Sequence, residues 1–66
     1  MTQNVLEMAT QANNEEIDHL TADLIAGRAK DFADYKWHCG IIRGLRKANN
    51  QLEDVSLRVM EEDDDG

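Results

Sequence analysis

An apolar ladder in the second half of the chain constrains the fold more than any other feature. Phe32, Tyr35, Cys39, Ile42, Leu45, Ala48, Leu52, Val55 and Val59 follow one another at steps of three or four residues. Such steps return to one side of an α-helix, whereas a strand alternates every second residue. The sequence has no proline to interrupt the ladder. It also has no Asn-Gly or Asp-Gly pair between alternating apolar residues, as a β-hairpin would need. A helix from about Lys30 to Met60 is expected, which at 1.5 Å per residue is about 45 Å long.

The first half supplies its partner. Ile17, Leu20, Leu24 and Ile25 lie at i, i+3, i+7 and i+8, a helical stripe. Asn13 followed by Glu16 has the form of a capping box, so a helix over about 14–26 is expected. Gly27 stands where a left-handed cap commonly ends a helix. Residues 4–12 form a weaker apolar segment (Val5, Leu6, Met8, Ala9, Ala12). Asn13-Asn14 either separates it as a short extra helix or lies within one continuous helix, because asparagine costs only tenths of a kcal/mol in a helix. The expected fold is all-α: an antiparallel helical hairpin with one long C-terminal helix. It forms one domain over residues 1–61, followed by an acidic tail, 62–66.

Size then bears on function. A chain of 66 residues buries only about 60% of the surface it exposes when unfolded, and chains this small lean on disulfides, metals or partners. One cysteine makes no internal disulfide, and two histidines with one cysteine make a poor metal set. Self-association or docking on a larger partner is the remaining source of stability. A shorter first helix would cover only half of the long one. Leu52, Val55 and Val59 would then need the N-terminal segment or another subunit.

Charge is unevenly placed. The formal net charge is −7. Residues 28–47 nevertheless hold six of the seven basic residues: Arg28, Lys30, Lys36, Arg43, Arg46 and Lys47. This band suits pairing with the chain's own acids or with an acidic partner. Overall acidity makes nucleic acid an improbable ligand, since affinity for phosphate comes from neutralising lysines and arginines. No apolar run approaches the roughly 20 residues of a membrane span, and the start, MTQNVLEMATQ, lacks the form of a signal peptide.

Residues 26–45 also hold the sole Phe, Tyr, Trp and Cys and three of the four glycines. Trp37, Ile41, Gly44 and Ala48 form a second stripe at i, i+4, i+7 and i+11, far around the axis from Tyr35 and Cys39. A second apolar face on one helix implies a second contact. Gly40 and Gly44, each costing about 1 kcal/mol in a helix interior, suit close approach of another helix, or else a break near residue 40. The expected interface is Trp37, Gly40, Ile41, Arg43, Gly44 and Ala48. His38 and Cys39, about 100° apart on a helix, cannot share a catalytic task. Cys39 reads as a small buried hydrophobe. Asp31 and Asp34 suit the positive end of the second helix. No phosphate loop, nucleophile elbow or metal signature is present, so neither an enzyme nor a cofactor is expected.

The run Gly27-Arg28-Ala29-Lys30-Asp31-Phe32, then Tyr35, then Cys39-Gly40-Ile41-Ile42-Arg43-Gly44-Leu45 resembles a pattern in short proteins of tailed bacteriophages. Those share a Gly-x-Ala-x-Asp-aromatic start, a tyrosine, a Cys-Gly-x-Ile-Arg-Gly-Leu block and an acidic C-terminus. The resemblance spans about residues 26–58. It implies a virion-morphogenesis protein, a small component of the head or portal vertex, with Gly40, Arg43 and Gly44 as recognition positions and no catalytic residue. The expected setting is the virion or the host cytoplasm, and the expected partners are further copies or larger phage structural proteins. A rival expectation is an acidic phage inhibitor that offers carboxylates in place of phosphates to a host nucleic-acid enzyme or defence protein.

Overall fold

The computed structural model describes residues 4–64, with side chains to Met60. It contains two helices, α1 (Val5–Ile25) and α2 (Phe32–Asp64), packed against each other as an all-α hairpin. The molecule is a rod of 54 × 22 × 12 Å with a radius of gyration of 15.7 Å. A compact chain of this length would have a radius of about 11 Å.

Helix α1 is continuous through Asn13-Asn14. Its cap lies nine residues earlier than the Asn13–Glu16 pair suggests. Asn4 adopts an extended backbone, and its Oδ1 accepts from the Glu7 amide at 2.7 Å. Asn13 does not cap because its carboxamide is engaged across the hairpin. At the other end the expected glycine cap is present. Gly27 has φ of 74°, its amide donates to the Leu24 carbonyl, and the Arg28 amide donates to that of Asp23. This is the Schellman pattern. The Arg28 guanidinium adds an ion pair to Asp23 at 3.0 Å.

The connection over residues 26–31 delivers the chain to a second cap. The Asp31 carboxylate accepts from the Asp34 amide at 2.8 Å, and the Asp34 carboxylate accepts from the Lys30 amide at 3.0 Å. Both acids satisfy amides that the first turn leaves unpaired and face the positive end of the helix dipole. Helix α2 then runs unbroken through Gly40 and Gly44, so the expected alternative of a break near residue 40 is not realised. It continues past Met60 to Asp64, taking in part of the acidic tail.

Three residues are buried, Ile17, Leu20 and Ile42, and Leu24, Ile41 and Leu45 pack around them. All six lie in the half of the hairpin nearer the turn. The face of α2 toward α1 is not the full ladder read from the sequence. Phe32, Tyr35, Val55 and Val59 are exposed, whereas His38, Asn49, Leu52 and Ser56 are half-buried. The cause is helical drift. A step of three falls about 60° short of a full turn. The ladder takes three such steps in succession, Cys39 to Ile42 to Leu45 to Ala48, and so swings about half-way around the helix. A straight partner cannot follow it. Cys39, expected to be buried on this ladder, is half-exposed for the same reason.

Candidate functional site

Halfway along the rod the hairpin interior is polar. Asn13 Nδ2 donates to Asn49 Oδ1 at 2.9 Å, and Asn49 Nδ2 donates to Asn14 Oδ1 at 2.9 Å. One carboxamide on α2 is thus held by two consecutive ones on α1. Such a clasp forms only when the helices are aligned, because a slip leaves partly buried amides unpaired. It sets register as a polar residue does in a coiled-coil seam. Sequence reasoning took Asn13-Asn14 for a possible interruption and passed over Asn49-Asn50. The signal was there: each half of the chain carries one Asn-Asn pair within its expected helix.

Beyond the clasp the helices separate around an open groove of about 610 Å³. Leu6, Thr10 and Gln11 of α1 and Leu52, Ser56 and Leu57 of α2 line it. The N-terminal segment therefore covers Leu52. Val55 and Val59 remain exposed.

The six expected interface residues do not form one patch. At about 100° per residue, Trp37, Ile41, Gly44 and Ala48 fall within an arc of about 60°. Gly40 lies about 40° outside that arc and Arg43 about 100° outside it, on the ridge of α2 that faces away from α1. Trp37 is 59% exposed, its indole edge-on to His38 with ring centroids 5.1 Å apart. Ile41 is the correction: it packs against the hairpin core rather than standing wholly on a second face. Ala48 is half-buried. A Cβ built on Gly40 or Gly44 meets nothing within 4 Å, so neither glycine serves the contact between α1 and α2. Val55 and Val59, which the sequence reading placed on the other ladder, share the arc of Trp37 and Gly44. Together these residues make an apolar strip about 33 Å long.

The basic band is largely unpaired. Arg28 reaches Asp23, and the Lys36 ammonium sits 5.9 Å above the Phe32 ring, which stacks on Tyr35 with centroids 6.2 Å apart. The Lys30 side chain and Arg43, Arg46 and Lys47 are exposed and enter no ion pair among the described residues. The expectation that the band pairs with the chain's own acids thus holds for Arg28 alone.

Two polar side chains sit close to this region. His38 Nδ1 donates to the Asp34 carbonyl at 2.8 Å, with the Asp34 carboxylate 3.5 Å away. Hydrogen bonding of the Tyr35 hydroxyl to the Cys39 sulfur, reinforced by the charge of the thiolate, raises the Tyr35 pKa above its ordinary value. His38 and Cys39 are engaged with separate partners. Among the described residues, no three side chains of the metal-ligating types come together. No described helix is long and apolar enough to cross a membrane.

The fold and its surface define a class, a two-helix hairpin with an uncovered apolar strip. Comparison with known proteins takes it no further: no family model, curated protein or solved structure matches the chain.

Proposed function

We propose that this chain is a non-enzymatic interaction protein, a small structural component of a phage particle that docks through the Trp37–Val59 strip of α2. The observation that carries the proposal is the row of large apolar side chains left open on one side of α2: Trp37 is 59% exposed, Val55 43% and Val59 45%. Exposed tryptophans are frequent anchors of protein interfaces, and Trp37 stands at one end of the strip. Arg43 and Lys47, on the outer ridge of α2 and without an ion pair among the described residues, suit an acidic neighbour. The phage setting, in the virion or host cytoplasm, rests on the Cys39–Leu45 block and the motif before it. On this reading the chain packs on further copies or on a head or portal-vertex protein.

The test is mass spectrometry of purified particles made with the wild-type chain or with Trp37→Glu. Incorporation of the wild type and its loss in the variant, with helicity retained, are expected. Absence of the wild-type chain from particles would count against the reading. Capture of a host polymerase or nuclease, competed off by DNA, would favour the phosphate-mimic alternative.

A further inference from the structure

We infer that the strip's partner is a second copy of this chain, and that two hairpins pack face to face about a two-fold axis through Ala48 with their turns at opposite ends. The inference deepens the docking reading above and rests on it. Three independent observations favour it: the composition of the strip, the charge along the rod and the area available.

The first observation is self-complementarity. An isologous contact must match a surface to itself reversed. Reversed about Ala48, the strip sets Trp37 opposite Val59 of the partner subunit, and Ile41 opposite Val55 of the partner subunit. The same reversal sets Gly44, where nothing stands within 4 Å of a built Cβ, opposite Leu52 of the partner subunit, with Ala48 on the axis. Large side chains therefore meet β-branched ones at both ends, and nearer the centre the partner's leucine enters the open space over the glycine. On α1, Ala9 and Ala12 lie toward the same side by their helical positions, followed toward the turn by Glu16, His19 and Asp23. The result is a four-helix bundle in which α2 lies antiparallel to α2.

Charge selects the direction. Residues 17–45, the turn half, are neutral: Asp18, Asp23, Asp31 and Asp34 balance Arg28, Lys30, Lys36 and Arg43. Residues 4–16 and 46–64 hold nine acids (Glu7, Glu15, Glu16, Glu53, Asp54, Glu61, Glu62, Asp63 and Asp64) against Arg46, Lys47 and Arg58. That is a net −6. Pairing with both turns at one end would bring two such ends together. Opposed turns set each acidic end beside a neutral half that bears basic side chains, which removes the like-charge penalty.

The area is sufficient. A strip about 33 Å long on a hairpin 22 Å wide bounds the contact at roughly 700 Å² for each copy when α1 is covered as well, and stable dimers bury about 1,200–2,000 Å² in total.

The test is sedimentation equilibrium on the full chain, combined with cross-linking by a short bis-maleimide of Ala48→Cys and Asn50→Cys, each in a Cys39→Ser background. A dimer is expected, with rapid cross-linking at position 48 and little at position 50, which lies on the groove side. Ala48→Glu should weaken association about 100-fold or more, because two carboxylates would be buried near the axis. Circular dichroism checks that this variant remains helical, and the cysteine variants decide the matter should it unfold. A monomer at all concentrations, or a dimer that links through position 50, would overturn the inference. A monomer that still enters particles through Trp37 would overturn the pairing and leave the docking reading standing. A dimer absent from particles would do the reverse.

Discussion

The two halves of this rod are held by different physics. The turn half contains the whole buried core, Ile17, Leu20 and Ile42, and both helix ends there are capped. The open half has the asparagine clasp, then a groove, and leaves Val5, Met8, Val55, Leu57, Val59 and Met60 exposed. The turn half holds the packed apolar contacts, although Ile25, Phe32, Tyr35 and Trp37 are exposed there too. The open half has register without a core. A short chain can thus specify how its helices align while leaving the large apolar side chains beyond the clasp exposed.

The sharpest way to break this contrast is to remove the core. Leu20→Ala should cost about 2–4 kcal/mol. In a chain of this size that is enough to unfold the hairpin, read as loss of helicity by circular dichroism. Leu57→Ala, in the open half, should cost under about 1 kcal/mol, since its side chain is 53% exposed. Equal losses would erase the distinction between the halves.

The clasp comes next. Asn49→Ala should cost about 1 kcal/mol, because Asn13 loses its partner in a half-buried site while Asn14, exposed, turns to water. Asn49→Leu should recover that stability while loosening register, seen as broadened amide resonances in α1.

Backbone substitutions should be similar in size and opposite in sign. Gly40→Ala should raise stability by about 1 kcal/mol, since its Cβ enters open space on a helix. Gly27→Ala should lower it by about 1 kcal/mol, because a φ of 74° suits glycine alone.

The smallest effect concerns Tyr35. Cys39→Ala should return its titration toward the ordinary value of about 10, followed by tyrosinate absorbance at the sole tyrosine. The sign follows from linkage. A raised value means that the folded state holds the hydroxyl proton more tightly. Its contribution is therefore present at neutral pH and is lost as pH rises through the folded value.

Much of the fold was legible in the residues. Helix type, hairpin order, the Gly27 cap and the placement of Asp31 and Asp34 followed from spacing and capping chemistry. The facing of α2 did not. A ladder of threes and fours reads as one seam on paper, yet its run of threes winds around a straight helix. The buried stripe accordingly took in His38, Asn49 and Ser56 and released Phe32 and Val55. The asparagine clasp was obscure because a lone Asn pair signals a break as readily as a cross-helix bond, until the matching pair on the other strand of the hairpin is weighed with it. Of the expected interface, Trp37, Ile41, Gly44 and Ala48 share a side, Ile41 packing in part against the core, and Gly40 and Arg43 fall on the outer ridge.

Hydrogen exchange measured across protein concentration tests most directly the proposal that the core of the turn half forms within one chain while the open half gains its protection from a second copy. Amides of residues 17–25 and 38–45 should keep their protection on dilution, while those of residues 50–60 lose it as the chains separate. Protection that is uniform along α2 and independent of concentration would contradict the account.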